Sequence, residues 1–168
     1  MAITGPESTG KSALAKALAE HFDTVWVPEY AREYIDGLDR PYRFEDIETI
    51  AKGQLRREEE MVKHANRVLF CDTDIVVTKI WSDFGYGKCS EWINSNVKNH
   101  VYDLYLLTNL DIPWVFDPQR EHPSQREKLF EIYKKELDFN SFNYKIVKGI
   151  DKVRLQNAIG YVNSLLTV

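Results

Sequence analysis

A chain of 168 residues, 43% hydrophobic and 29% charged, is sized and composed for one globular domain with a substantial core. Its net charge of −4 argues against nucleic acid as the main partner, because neutralising phosphates requires clustered Lys and Arg. No run approaches the ~18 apolar residues of a membrane span, and the first residues lack the basic, apolar, small-residue pattern of a leader. A soluble cytoplasmic protein is expected, and the cysteines agree. Cys71 and Cys89 form no motif, and Cys71 sits in an apolar run that suits a buried thiol.

Ala2-Ile3-Thr4 reads as a short strand running into Gly5-Pro6-Glu7-Ser8-Thr9-Gly10-Lys11-Ser12. That octapeptide is G-x-x-x-x-G-K-[ST], the phosphate-binding P-loop. Its glycines let the backbone fold back so that N–H groups converge on a phosphate chain. Lys11 then reaches the β- and γ-phosphates, and the Ser12 hydroxyl is placed for Mg²⁺. The alanine-rich helix that starts around Ala13 aims its N-terminal dipole at the same phosphates. Gly5, Glu7, Ser8, Thr9, Gly10, Lys11, Ser12 and Ala13 are therefore the expected triphosphate cradle.

Thr24 to Val27 is a second strand, closed by Pro28, and Glu29-Tyr30-Ala31-Arg32-Glu33-Tyr34 follows at its carboxyl end. Arg40 to Arg43 reads as a loop. A long helix is expected from Phe44 to about Ala65, with Arg56-Arg57-Glu58-Glu59-Glu60 as a solvated face. Val68 to Cys71 is a continuous apolar strand of the kind buried in a parallel sheet. It ends in Asp72-Thr73-Asp74, where Asp72 fits the Mg²⁺-side carboxylate of a P-loop protein. Asp74 either takes part in the site or caps the helix Ile75–Asp83.

Phe84-Gly85-Tyr86-Gly87 breaks that helix, and Ser90 caps a short one carrying Trp92, Ile93 and Val97. Tyr102 to Leu107 is the fourth strand. Residues 108–123 form a long loop with three prolines, a length that suits an active-site lid. Ser124-x-x-Glu127 reads as a capping box opening a helix with Leu129, Phe130, Tyr133 and Leu137 inward. Tyr144 to Val147 is the last strand, and Asp151 caps a final helix after the turn at Lys148.

Strands alternating with helices predict an α/β fold, a five-stranded parallel sheet covered on both faces, in a single domain with no internal repeat. Ligands in such sheets collect at the carboxyl ends of the strands. The P-loop, Glu29 to Arg32, Asp72 to Asp74, the loop through Trp114 to Arg120, and Lys148 to Asp151 all fall there. Phosphoryl transfer needs a carboxylate near the attacking hydroxyl. Glu29 is the first candidate and Asp74 the second, with an ion pair to Arg32 as the alternative use of Glu29. Arg120 and Arg126 flank the loop and can fold over the triphosphate. Trp114, Tyr30 and Trp81 are candidates for a flat aromatic pocket, Trp114 ahead of Trp81, which reads better as core. The four histidines have no metal or triad spacing, and only His122 falls near the site.

Gly5–Ser12, Pro28–Glu33 (P-E-Y-A-R-E), Asp72–Asp74 (D-T-D), and Asp111-Ile112-Pro113-Trp114 with Asp117 and Arg120, in this order, resemble the kinase domain of NadR-type nicotinamide riboside kinases. These are P-loop NTPases akin to nucleoside and nucleotide kinases, and the likeness runs from Ile3 to about Asp151. The resemblance implies ATP- and Mg²⁺-dependent phosphorylation of the ribose 5′-hydroxyl of nicotinamide riboside, giving nicotinamide mononucleotide. It puts Lys11 and Ser12 on ATP and Mg²⁺, Asp72 on the metal, and Arg120 in the lid. Glu29, Tyr30, Arg32, Asp74, Trp114 and Asp117 fall against the nucleoside, and Arg126, Lys148 and Asp151 are assigned to ATP. The family's loop carries an acidic pair and a glycine before the arginine. Here Phe116-Asp117-Pro118-Gln119-Arg120 stands instead, which touches the choice of substrate rather than the kinase chemistry. No adenylyltransferase H-x-G-H signature is present, so a free-standing kinase domain is the expectation. A kinase of another nucleoside or nucleotide and an ATPase switch with a protein partner are the alternatives. A GTPase is disfavoured because no N-K-x-D motif exists. Homo-oligomerisation is compatible with the sequence but not specified by it.

Overall fold

The computed structural model describes residues 1–167. Its centre is a five-stranded sheet in the order β2-β3-β1-β4-β5, from strands β1 Ala2–Thr4, β2 Trp26–Val27, β3 Phe70–Asp72, β4 Tyr105–Thr108 and β5 Tyr144–Val147. Every strand pair is parallel, as expected from the strand–helix alternation. Successive side chains in each strand point to opposite faces, and the core divides accordingly. Ala2, Cys71, Tyr105 and Leu107 face one layer, and Ile3, Phe70, Leu104 and Leu106 the other.

The first layer is covered by helices α3 Phe44–Met61, α4 Ile75–Tyr86, α5 Glu91–Asn99 and α6 Arg126–Phe139, through Ile47, Ala51, Val76, Ile80, Ile93 and Leu137. The second is covered by α1 Lys11–His21 and α7 Asp151–Leu166, through Leu14, Leu18, Ala158 and Val162. No described helix is long and apolar enough to cross a membrane.

Most element bounds shift by one to three residues from expectation, and a few differences have physical content. Tyr30–Asp36 is a helix, α2, which the mixed polar and aromatic stretch did not announce because it has one buried position, Ala31. The Phe84–Gly87 segment does not break α4. The helix runs to Tyr86, and Gly87 ends it in the left-handed region at φ 66°. The capping box at Ser124 does not form. α6 begins at Arg126 with Gln125 at the cap and no side-chain cap bond, while Asp151 is the first residue of α7 rather than its cap. The charged run on α3 is not a uniformly solvated face: Glu58 is buried at 4% exposure and accepts from the Tyr102 hydroxyl at 2.9 and 2.8 Å.

Candidate active site

The P-loop joins the carboxyl end of β1 to α1 and takes its shape from residues in the positive-φ region, Gly5 at 131°, Ser8 at 56° and Gly10 at 77°. Two of these positions require glycine. A Cβ on Gly5 would lie 2.6 Å from the Thr108 hydroxyl, and one on Gly10 would lie 2.7 Å from Ile112 Cδ1. Beneath the loop, the buried Thr9 and Thr108 hydroxyls lie 2.6 Å apart, and they also reach the Pro6 and Thr4 carbonyls at 2.7 and 3.0 Å. The loop is thereby tied to the carboxyl ends of both β1 and β4. Lys11 curls over it, its Nζ donating to the Gly5 and Pro6 carbonyls at 3.0 Å each.

A residue the sequence reading overlooked holds the loop from behind. Arg154, on α7, is 3% exposed and donates to the Thr9 carbonyl, to Asn109 O at 2.6 Å and to Val147 O at 3.4 Å. One guanidinium thus ties the P-loop to the ends of β4 and β5. The signal was available, since the buried stripe of α7 is Arg154, Ala158 and Val162 at a spacing of four.

Asp72 stands at the end of β3, 1% exposed. Burial, and then the neighbouring Glu29 charge, push its carboxyl up to about 6, opposed by the nearby Ser12 hydroxyl and the Lys11 charge. Its Oδ1 is buried with no protein partner. An unpaired, desolvated carboxylate oxygen beside a P-loop serine fits a hard divalent cation such as Mg²⁺, which takes one or two protein oxygens and completes its shell with phosphate and water. No cluster of three or more His, Cys, Asp or Glu suited to a metal occurs among the described residues, so a cation here would depend on the nucleotide.

Above the loop is a cavity of about 550 Å³. It is lined by P-loop residues Gly5 to Ala13, by Glu29 and Arg32 from the start of α2, and by Arg40 and Tyr42 from the next loop. Val77, Ile80, Trp81 and Phe84 of α4 form its wall, and Arg120, Glu121 and His122 its roof. Glu29 caps α2 without a side-chain cap bond, which leaves its carboxylate free to face this space.

The aromatic wall is not the expected one. Trp81 lines the cavity, its indole Nε1 donating to the Tyr42 hydroxyl at 3.1 Å with the rings edge to face. Tyr30 instead packs under the Arg57 guanidinium, at 4.6 Å from the ring centre, and Trp114 is half-buried in the lid outside the cavity lining. Asp74 is also not in the lining. It is 0% exposed and caps α4, accepting from Val77 N at 2.9 Å, and burial pushes its carboxyl up to about 7. Lys148 and Asp151 are exposed at the β5 end of the sheet, likewise outside the cavity lining.

The lid, residues 109–125, lies down on the P-loop. Arg120 Nη1 donates to Ser8 Oγ at 3.4 Å and to Val115 O at 2.5 Å. Arg126 ties Ser8 O at 3.0 Å to Ile112 O at 2.8 Å, from outside the cavity. The Glu7 carboxylate accepts from the backbone N–H groups of Glu121 and His122 at 3.1 and 3.2 Å. At the far side, Asp117 grips Arg32 at 2.9 and 3.4 Å, and the Gln119 N–H and Arg32 hold its carboxyl below the usual range. Asp117 therefore braces Arg32 rather than lining the cavity itself.

The AAA domain family matches residues 1–152 of this chain. The trifunctional NAD biosynthesis/regulator proteins NadR of Salmonella typhimurium and Escherichia coli are each 31% identical over 157 residues, which is 90% of this chain and 38% of theirs. The chain thus spans well under half the length of those curated relatives. Among solved structures, NadR protein in complex with NR superposes with a TM-score of 0.81 at 23% identity, over 99% of this chain and 51% of that one. Deoxyadenosine kinase from M. mycoides superposes at 0.62 with 12% identity, over 99% of this chain and 98% of that one. The expected P-loop nucleoside-kinase fold is the observed one.

Proposed function

Because the chain belongs to the AAA domain family of P-loop proteins, we propose that it is a small-molecule kinase that transfers the γ-phosphoryl group of ATP to the ribose 5′-hydroxyl of nicotinamide riboside. The observation that carries this reading is one cavity holding both halves of such a reaction. The P-loop with Lys11 and Ser12 forms its floor, and an uncapped carboxylate, Glu29, faces it from the end of β2. The sequence kinship with NadR proteins and the fold shared with deoxyadenosine kinase support a phosphoryl acceptor of nucleoside size.

In this reading the P-loop N–H groups and Lys11 bind the β- and γ-phosphates, and Arg120 in the lid meets charge as it spreads over the γ-phosphoryl oxygens. Ser12 and Asp72 are the residues that would hold Mg²⁺, which would supply charge neutralisation to the triphosphate when bound. Glu29 accepts the proton of the attacking hydroxyl. Trp81 and Tyr42 offer an aromatic wall to the planar, cationic pyridinium, and Arg32, held by Asp117, would serve the ribose. The closed lid keeps water from competing as the acceptor.

A second reading, a kinase of another nucleoside, is favoured by one feature: Asp117 is already engaged by Arg32 and is not free to pair with a cationic ring. ADP release with Mg·ATP, measured across a panel of nucleosides and nucleoside monophosphates, separates the two. The proposal expects strong stimulation by nicotinamide riboside. Stimulation by another nucleoside alone selects the second reading, and a rate indifferent to every acceptor points to an ATPase switch.

A further inference from the structure

From the Tyr30 backbone into α3 runs a buried polar chain that the proposed chemistry does not use. Gln54, on α3, is 3% exposed. Its Oε1 accepts from the Tyr30 backbone N–H at 2.9 Å. Its Nε2 faces two acceptors, Thr73 O at 3.5 Å and Glu58 Oε1 at 3.4 Å. The amide orientation follows from the partners, since a backbone N–H needs an acceptor while a carbonyl and a carboxylate need a donor. Glu58 is held in turn by the Tyr102 hydroxyl and by His100 Nε2 at 3.1 Å.

The two backbone groups that Gln54 joins have particular neighbours. Tyr30 N is the peptide nitrogen that follows Glu29. Thr73 lies between Asp72 and Asp74 and is a non-glycine residue in the left-handed region, at φ 75°, a conformation that must be held by its surroundings. One side chain therefore ties the end of β2 to the end of β3, where the Glu29 carboxylate and the Asp72 carboxylate project. The residue before it works on the same spot. A Cβ on Gly53 would stand 1.9 Å from Tyr30 Cε1, so any larger residue there must displace the Tyr30 ring.

We infer that Gln54 is a positioning residue for phosphoryl transfer, setting the Glu29 carboxylate in register with Asp72 through the Tyr30 N–H and the Thr73 carbonyl. Gly53 supports it by letting α2 start where it does. The inference rests on the proposed kinase reading. Positioning errors of about 1 Å in a reacting group lower turnover by roughly a hundredfold, whereas the P-loop, on the other side of Asp72, has its own supports.

The test is a kinetic double-mutant cycle on the full chain with Mg·ATP and nicotinamide riboside, using Gln54→Met, which keeps length and loses both polar ends. Gln54→Met is expected to lower kcat by about 30-fold with the KM for ATP within about twofold of the parent. In a Glu29→Gln background the same change is expected to add less than about threefold, because Gln54 acts through Glu29. Hydrogen exchange at the Tyr30 amide, a readout independent of activity, is expected to quicken by more than about tenfold. Should Gln54→Met fail to fold, Gly53→Ala, which displaces Tyr30 from its half-buried side, takes its place in the same cycle.

A folded variant with parental kcat, an equal loss in the Glu29→Gln background, or an unchanged Tyr30 amide overturns the inference. A parent protein that phosphorylates no acceptor fails the kinase reading and takes the inference with it. An active parent with an indifferent variant overturns the inference alone.

Discussion

Along the P-loop nearly every constraint is buried and short. Glycines sit where a Cβ would collide, two threonine hydroxyls lie beneath the loop, and a guanidinium reaches three carbonyls. Across the lid, residues 109–125, there is no helix or strand, and Phe116 is 82% exposed. Its seat consists of polar contacts, partly buried at most, from Arg120, Arg126, Glu7 and Asp117. The floor is a fixed template built with the core, while the lid is held by contacts that are each weak and separable. That division suits a site that must present a constant phosphate cradle and yet admit and release ligands.

The largest effect is expected at Lys11, the cation held over the floor by the Gly5 and Pro6 carbonyls. Lys11→Ala should abolish phosphoryl transfer, by about a thousandfold or more in kcat, without unfolding the protein, since the lost bonds are to loop carbonyls. Arg154→Met tests the floor's rigidity. It leaves the Thr9 and Asn109 carbonyls without the guanidinium, while Val147 O keeps the Asn109 N–H, and chemical denaturation should show a loss of about 3–5 kcal/mol.

The lid should respond differently. Arg120→Ala is expected to lower kcat by about 10- to 100-fold with stability within about 0.5 kcal/mol of the parent. A stability loss as large as that at Arg154 would mean that lid and floor are held alike. Asp117→Asn releases Arg32 and should raise the KM for the nucleoside by about three- to tenfold, with little change in kcat, in steady-state kinetics.

An effect on stability alone lies outside both regions. Asp46 is held well below the usual carboxyl range by Arg40, with further bonds from Arg43 N at 2.7 Å and the Tyr34 hydroxyl at 3.0 Å. A carboxyl whose folded value is depressed stabilises the fold above its unfolded value, near 3.8. That stability is lost as pH falls from there through the folded value. Asp46→Asn should cost about 1–2 kcal/mol at neutral pH, and the acid limb of its unfolding curve should flatten below about pH 4.

The floor was legible in the sequence because its geometry is local: glycine spacing, an adjacent helix and an apolar strand ending in Asp72 all lie in short stretches. The five strands were legible for the same reason, as apolar runs between polar turns. Strand order was not, since it depends on pairings between distant segments. Nor were the contacts that seat the lid. Arg120 meets Ser8 across 112 positions and Glu7 meets His122 across 115, and nothing in either segment names its partner. Trp81 and Trp114 exchanged their expected places because periodicity shows which helix face is apolar but not that part of the α4 face borders a cavity. Asp74 was open between two uses, and burial decided for the cap. Glu58 was misjudged because a charged run hides the single member that turns inward to Tyr102 and His100.

In the proposed reaction the Glu29 carboxylate, opposite the P-loop, directs the γ-phosphoryl group to a nucleoside 5′-hydroxyl and not to water. Phosphorus NMR of the protein with Mg·ATP and nicotinamide riboside, run beside the 5′-deoxy analogue, tests it most directly. A phosphomonoester signal growing in step with ADP is expected for the riboside, and neither product above background for the analogue. Equal ADP release with both compounds, accompanied only by inorganic phosphate, would contradict it.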